Sequence, residues 1–288
     1  MISVRNLSKS FKDLVVFSDL NLDVNQGETL VILGPSGIGK SVLLKHLIGL
    51  IKPDRGTVDI NGICITDLKE EELSKTVANM GMLFQGAALF DSMSVEKNVG
   101  FYLSQHINPL TKKKYISEEI RAKVDQALEL VGLKGTQKKM PSELSGGMRK
   151  RAALARLIVY RPGIILYDEP TTGLDPIIAM EINKLIVKTQ QELKATSIVV
   201  THDMFSALYV GDHLALIRDG KIAHIAPRDQ FLEIDDPLIK SLYNSISQDP
   251  RKLREKVNHG KKKKKCVNRC FFYCCMCSSY LDGGLPKT

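Results

Sequence analysis

Short apolar runs of two kinds alternate along most of the chain. The runs "ETLVILG" (28–34), "GIILYD" (163–168) and "SIVVTH" (197–202) are rich in β-branched and aliphatic residues, as is typical of strands buried on both faces of a sheet. The segments "KSVLLKHLIGL" (40–50) and "EINKLIVKTQQEL" (181–193) instead space their apolar residues as a helix does. This alternation predicts an α/β core with a parallel sheet.

Turn residues predict two hairpins and a helical insert. Asn61-Gly62 within "GTVDINGICI" and Asp219-Gly220 within "LALIRDGKIAHIA" are strong hairpin signals. From about 87 to 160 the spacing is mainly helical, with charged faces such as that of "SEEIRAKVDQALELVGL" (117–133). The insert therefore interrupts the α/β core.

Charge and cysteine are concentrated at one end of the chain. The formal net charge is +9, but 251–265 hold nine Lys and Arg against one Glu, so the remainder is close to neutral. This argues against a nucleic-acid partner for the main body. Five of the six cysteines follow residue 265, so we expect no disulfide framework before them. With no apolar run of about 18 residues and no secretory core, we expect a cytoplasmic chain.

The basic, cysteine-rich segment 244–288 allows three interpretations. A lysine run is usually solvated, which favours a disordered tail. The lysines next to Phe271, Phe272 and Tyr273 would also suit an anionic membrane surface. Cys274 and Cys277 have the spacing of a zinc pair, but no second pair of this kind accompanies them.

The motif "GPSGIGKS" (34–41) carries the most specific chemistry. It matches G-x-x-x-x-G-K-[ST] between a predicted strand and a predicted helix, which is the context of a phosphate-binding loop. Its glycines let backbone amides curl around phosphates. Lys40 would neutralise the β- and γ-phosphates, and the Ser41 hydroxyl would bind Mg²⁺. The expected nucleotide-binding residues of this phosphate loop are Gly34, Pro35, Ser36, Gly37, Ile38, Gly39, Lys40 and Ser41.

Further polar residues follow predicted strands of the same sheet. Asp168 ends a hydrophobic strand, where its carboxylate suits a hold on Mg²⁺, and the adjacent Glu169 could orient or deprotonate a water. His202 ends the next strand, at the same edge, so we expect it to contact the γ-phosphate. Gln85 follows "MGMLF" and could reach the metal or the water from the boundary of the insert. We assign Glu169, His202, Gln85 and Lys40 to catalysis.

"LSGGM" (144–148) adds a second candidate anion site. A Ser-Gly-Gly turn that leads into a helix presents unpaired backbone amides to an anion. The arginines that follow are expected mostly on the surface of the helix.

Taken in order, "GPSGIGKS", Gln85, "LSGGM", "IILYDEP", "TGLD" and His202 resemble the nucleotide-binding subunit of an ABC transporter over about residues 1–243. The resemblance implies a P-loop NTPase core with a parallel sheet, an antiparallel β subdomain and a helical insert. It also implies that Phe11 stacks on adenine, that Gln85 couples ATP to a membrane partner, and that Asp175 links two copies in a homodimer. Ser145, Gly146 and Gly147 would then contact the γ-phosphate of the ATP held by the other copy.

Three details resemble one branch of that family. Met148 ends the "LSGG" motif, "MPSE" precedes it, and "GAALFDSMSVEKNV" follows Gln85, as in the ATPases of Mla/Mce-type lipid transport systems. This implies a peripheral protein at the cytoplasmic face of a membrane, driving lipid transport between membranes through a separate integral-membrane permease. An Mce-domain lipid carrier and a small regulatory subunit are further implied partners.

Other assignments remain open. The same ATPase could serve a transporter of another substrate. An ABC ATPase of translation or DNA repair is less favoured, because this chain has one cassette and no sustained heptads. A soluble kinase or GTPase would share the phosphate loop but not "LSGGM".

Overall fold

A computed structural model describes residues 1–108 and 111–244. Met1–Tyr243 forms one compact unit. The three interpretations of the basic tail concern residues that lie almost wholly outside the described ones. Among the described residues, no helix is long and apolar enough to cross a membrane.

The described residues form ten strands in two sheets. They are β1 (Ile2–Phe11), β2 (Leu14–Val24), β3 (Thr29–Leu33), β4 (Arg55–Ile60), β5 (Ile63–Cys64), β6 (Met80–Leu83), β7 (Ile164–Asp168), β8 (Thr196–Thr201), β9 (His213–Arg218) and β10 (Lys221–Pro227). The described helices are α1 (Lys40–Leu47), α2 (Glu70–Val77), α3 (Val95–Gln105), α4 (Ser117–Leu130), α5 (Gly146–Ile158), α6 (Pro176–Leu193), α7 (Met204–Val210), α8 (Arg228–Phe231) and α9 (Pro237–Asn244), with a short 3₁₀ turn at Pro141–Glu143.

The larger sheet has the order β10-β9-β3-β8-β7-β6. Strands β6, β7, β8, β3 and β9 run parallel to their neighbours, and β10 pairs with β9 antiparallel. β3, β7 and β8 are buried along their whole length, which confirms the predicted parallel core. Because β3, β8 and β7 are adjacent, the residues that follow them meet at one edge of the sheet.

The smaller sheet is antiparallel, in the order β2-β1-β4-β5. The turn between β4 and β5 has left-handed backbone at Asn61 (φ 52°) and Gly62 (φ 84°), and the turn between β9 and β10 has it at Asp219 (φ 50°) and Gly220 (φ 72°). Both predicted hairpins are therefore confirmed, with the residue types that such turns favour. The Ser18 amide donates to the Gly220 carbonyl (3.2 Å), which joins the two sheets.

One hydrophobic core lies between the two sheets and α1. It brings together Phe17 of β2, Leu44 and Leu47 of α1, and Ile217 of β9, all of them buried. α1 is thus fixed against both sheets immediately after the phosphate loop. Helices α3, α4 and α5 pack together as the insert, where a helical segment was predicted at about 87–160.

Candidate functional site

The phosphate loop (residues 34–41) joins β3 to α1 through left-handed backbone. Gly37 has φ 84° and Gly39 has φ 102°, a conformation that side chains disfavour. At Gly39 a Cβ would also lie 2.4 Å from Cγ1 of Val16. Among the described residues no side chain caps α1 at Gly39, so its first amides can bind an anion.

Lys40 lies buried beneath this loop. Its ammonium donates to the carbonyl oxygens of Gly34 (2.7 Å) and Pro35 (3.0 Å), and it lies 3.2 Å from Oε1 of Glu169. The Lys40 ammonium therefore lies within the phosphate loop. Pro35 and Ser36 are exposed, and Ile38 is half-buried with its Cγ2 facing Gly34.

Ser41 and Asp168 form the neighbouring contact. The Ser41 hydroxyl donates to Oδ1 of Asp168 (2.7 Å). Burial raises the pKa of Asp168, and the hydrogen bond from Ser41 offsets only part of this effect. Hydroxyl and carboxylate oxygens suit Mg²⁺, which binds through few protein ligands and keeps several waters or phosphate oxygens. The two residues therefore fit a Mg²⁺ ion, and no group of three or more His, Cys, Asp or Glu in the described residues offers a denser metal site.

Glu169 is buried in a left-handed conformation (φ 46°). Burial raises the pKa of this carboxyl, but hydrogen bonds from His202 and Thr172 and the charge of Lys40 outweigh that effect, so the pKa is lowered. Oε2 accepts from Nδ1 of His202 (2.9 Å) and from Oγ1 of Thr172 (2.8 Å). The carboxylate is thus held in its charged form and in one orientation.

The contact with Glu169 also fixes the tautomer of His202. A carboxylate only accepts, so Nδ1 of His202 must carry the hydrogen in this contact. The imidazole is 46% exposed, which leaves it accessible to a ligand. The structure therefore brings Lys40, Ser41, Asp168, Glu169 and His202 together at the sheet edge.

Gln85 lies apart from these contacts. It follows β6, and its side chain is exposed. Its carbonyl oxygen accepts a hydrogen bond from Nζ of Lys150 in α5. The predicted reach of its side chain to metal or water stays a prediction.

The Ser-Gly-Gly turn (residues 145–147) begins α5, where Ser145 caps the helix by accepting from the Met148 amide (3.3 Å). A Cβ on Gly147 would lie 2.5 Å from Cγ2 of Ile178 in α6, so α5 and α6 approach closely there. Asp175 caps α6 by accepting from the amides of Ile177 and Ile178 (both 3.0 Å). Its predicted link to a second copy stays a prediction.

The expectation that the arginines behind this turn lie mostly on the helix surface holds for Arg149, which is exposed. It is wrong for Arg156. The Arg156 guanidinium donates to the carbonyl oxygens of Ala88 (2.7 Å) and Ala87 (3.2 Å), because those carbonyls sit in left-handed backbone beside α5.

Phe11 ends β1, and the strand that follows it in the hairpin, β2, reaches the phosphate loop. Its ring is 43% exposed, with Nζ of Lys9 5.3 Å from the ring centroid. It pairs with Leu14 at the β1–β2 turn, and β2 continues to Val16, which touches Gly39. The position is compatible with stacking on a base, which stays a prediction.

Sequence reasoning missed Thr172 and Lys150. Thr172 follows Glu169 by three residues, a spacing at which a hydroxyl can turn back to a carboxylate. Lys150 shares the helical spacing of the buried Gly147, Leu154 and Leu157. A lysine on the apolar face of a predicted helix indicates a buried charge, so the sequence did carry a signal for Lys150.

Comparison with known proteins identifies the family of the chain. Residues 17–172 match the family model described as "ABC transporter". The chain is 42% identical over 259 residues to the "Probable ribonucleotide transport ATP-binding protein mkl" of Mycobacterium leprae, covering 90% of this chain and 73% of that protein. It is 40% identical over 251 residues to the "Intermembrane phospholipid transport system ATP-binding protein MlaF" of Haemophilus influenzae, covering 87% and 92%.

A solved structure shares the fold. The dimeric ATP-binding cassette MJ0796 in a post-hydrolysis state, bound to ADP and Pi, superposes with a TM-score of 0.71 at 31% identity and covers 79% of this chain and 99% of that one. The arrangement of the phosphate loop, Asp168, Glu169 and His202 on this fold, together with these matches, places the chain in the ABC transporter family as an ATP-binding and ATP-hydrolysing subunit.

Proposed function

We propose that two copies of this chain face each other head to tail and hydrolyse two ATP molecules. Each ATP is held by Lys40 and Ser41 of one copy and by the Ser-Gly-Gly turn of the other. The observation that carries the proposal is the contact of Lys40, Glu169 and His202 beside a complete phosphate loop. One chain thus has a phosphate loop at the start of α1 and a Ser-Gly-Gly turn at the start of α5, and the second turn is one phosphate-binding element more than a single ATP needs. A partner's ATP accounts for the second turn.

Within each site the residues have separate tasks. Lys40 exchanges its carbonyl and carboxylate partners for β- and γ-phosphate oxygens. Ser41 and Asp168, with Gln85 as a third candidate ligand, hold Mg²⁺. When bound, this ion neutralises charge on the phosphates. Phe11 stacks on the adenine.

Glu169 acts on the attacking water. Its carboxylate accepts a proton as the water oxygen bonds to the γ-phosphorus, and the bond from that phosphorus to the ADP oxygen breaks. The Thr172 hydroxyl donates to Oε2 of Glu169 and so holds the carboxylate in one orientation. To donate to the γ-phosphate, His202 must be doubly protonated or release Glu169, because Nδ1 holds its hydrogen in the present contact.

We further propose that closure of the two copies drives a membrane permease that carries a lipid. The support is the likeness to MlaF, a phospholipid transport ATPase, of which this chain covers 92%, together with Met148 and the segment that follows Gln85. The protein then works at the cytoplasmic face, with an Mce-domain carrier and a small regulatory subunit as expected partners. The name of the Mkl relative makes a ribonucleotide the competing cargo.

Mixing two inactive variants tests the head-to-tail dimer. Lys40→Ala damages the phosphate loop, and Ser145→Phe damages the Ser-Gly-Gly turn. In a mixed pair one site keeps both intact parts, so random pairing restores about a quarter of the wild-type ATPase rate if the sites act independently. A mixture as inactive as its components would contradict a shared site.

A reconstituted transporter tests the cargo. The tagged chain is purified from native membranes with its membrane partner, and the complex is placed in vesicles with a fluorescent phospholipid or a radiolabelled ribonucleotide. ATP should move the phospholipid, and the complex with Glu169→Gln should not. Movement of the ribonucleotide alone would contradict the lipid assignment.

A further inference from the structure

Lys150 is a buried cation that the proposed ATPase chemistry leaves unused. It lies in the first two turns of α5 and is only 6% exposed. An ammonium group removed from water is tolerated only where polar groups surround it. The groups that accept hydrogen bonds from the Lys150 ammonium therefore indicate what this residue does.

Among the described residues, the Lys150 ammonium contacts two carbonyl oxygens that lie outside its own helix. Nζ donates to the carbonyl oxygen of Gln85, just after β6, and to that of Glu169, just after β7 (3.4 Å). One ammonium thus bridges the backbones of two residues that we assign to ATP hydrolysis. It acts on their main chains and leaves the carboxylate of Glu169 free for His202 and Thr172.

The backbone at Glu169 needs such support. Its φ of 46° is unfavourable for a residue with a side chain. Its amide donates to the Val200 carbonyl in β8 (3.0 Å), and its carbonyl accepts from the Thr172 amide (3.3 Å) as well as from Nζ of Lys150 (3.4 Å). These bonds anchor the peptide units on either side of the strained residue, and the bond from Lys150 is the one that ties its carbonyl to α5.

The segment after Gln85 is held to α5 in a second place. Ala87 (φ 66°) and Ala88 (φ 49°) are left-handed as well, and Arg156 donates to both of their carbonyls. Helix α5, which begins with the Ser-Gly-Gly turn, therefore contacts the segment after Gln85 at two points, Lys150 and Arg156. Of these two cations, Lys150 is the one that also reaches Glu169.

We propose that Lys150 is a positioning residue that fixes the backbones of Gln85 and Glu169 to α5, so that the Ser-Gly-Gly turn and the catalytic carboxylate keep one relative position. The inference rests on the proposed role of Glu169. It predicts that Lys150 affects the rate of hydrolysis more than the affinity for ATP, because the carbonyls that its ammonium contacts belong to Gln85 and Glu169 and not to the phosphate loop.

The test compares full-length variants in ATP hydrolysis, ATP binding and thermal unfolding. Lys150→Met keeps the length and removes the donors, and it should lower kcat by about 10- to 100-fold, as expected when a catalytic group is misplaced by about 1 Å. KM and the Kd for ATP should stay within about threefold of wild type. Lys150→Arg, which keeps charge and donors, should recover most of the rate.

Controls separate positioning from stability. Lys134→Met removes an exposed lysine of the insert, whose side chain is 76% exposed, and should match wild type. Val124→Ala opens a buried site in α4 and should lower the melting temperature without lowering kcat of the folded protein. If Lys150→Met does not fold, Lys150→Gln, which keeps an amide donor but no charge, is measured by the same criteria.

The outcomes are distinct. A kcat of Lys150→Met or Lys150→Gln within about twofold of wild type overturns the inference. So does an equal loss in Val124→Ala at matched stability, or a loss that appears in the Kd for ATP. Glu169→Gln is measured alongside, and wild-type hydrolysis by that variant would overturn the proposed function itself, whatever Lys150 does.

Discussion

Replacing Glu169 by Gln separates the two tasks of the site. The carboxylate accepts from His202 and Thr172 on Oε2 and lies 3.2 Å from the Lys40 ammonium on Oε1. Gln has the same shape and one carbonyl oxygen. That oxygen can accept hydrogen bonds from His202 and Thr172 only if the amide NH₂ turns toward the Lys40 ammonium. The amide and the ammonium then face each other as two donors with no acceptor between them. The substitution should therefore keep the fold, remove the base and loosen Lys40.

The magnitudes follow from these contacts. Loss of a positioned base lowers hydrolysis by about 10²- to 10⁴-fold, or about 3–5 kcal/mol of barrier. Lys40 has fewer partners to give up before it meets phosphate, and one negative charge near the phosphates is gone. ATP affinity should then stay equal or rise by about 3- to 10-fold, which is up to about 1.4 kcal/mol.

Single-turnover phosphate release and calorimetric ATP titration of the full-length variant measure the two effects. Glu71→Gln, an exposed glutamate of α2, is the matched control and should match wild type in both. Hydrolysis by Glu169→Gln at the wild-type rate would refute the role of the carboxylate. ATP binding weakened by about tenfold or more would refute the reasoning about Lys40.

Three further substitutions test the scaffold around the site. Gly147→Ala places a methyl 2.5 Å from Ile178, so we expect a cost of about 1–3 kcal/mol in unfolding titrations and loss of ATPase with ATP binding intact; Gly146→Ala, with 3.8 Å of room, should fold normally. Asn98→Ala removes a buried amide that pairs with the amide and carbonyl of Phe90 and the carbonyl of Met93, which should cost about 2–5 kcal/mol, and faster hydrogen exchange in α3 would show it. Burial raises the pKa of Asp236, but hydrogen bonds from Leu238, His224, Arg218 and Ile239 lower it to about 2. Its stabilisation is therefore present above pH ~4 and lost as pH falls toward 2, so the difference in urea midpoint between wild type and Asp236→Asn should shrink over that range.

The parts of the site that were predicted from sequence are those that follow a buried strand. The phosphate loop, Asp168 and His202 each end an apolar run, and parallel strands bring such ends to one edge of the sheet. The hydrophobic pattern of the sequence predicts neither the strand order β3-β8-β7 nor the 3.2 Å contact between Lys40 and Glu169. Those depend on the long-range packing of the sheet.

Elements without a clear hydrophobic period were harder to predict. α2 has no fully buried residue, and only Leu73 and Val77 pack partly against the core, so its apolar stripe is too short to mark it as a helix. β1 and β2 pair with several register shifts, which break the alternation expected of a strand. Arg156 was assigned to the surface because charge usually indicates solvent, whereas here the left-handed turn at Ala87 and Ala88 supplies carbonyls for it.

The two helix starts expected to face a second copy are already joined within one chain. The Ser-Gly-Gly turn lies against α6, since Gly147 leaves no room for a methyl beside Ile178, and Asp175 caps the same turn of α6. Ile177, which follows Asp175 by two residues in the first turn of α6, is 76% exposed. Because these groups are fixed to one another, a second copy would meet one preformed surface rather than two independent loops, and less ordering entropy would oppose its binding. A substitution at the α5–α6 contact should therefore weaken the pairing of two copies even where it touches no nucleotide.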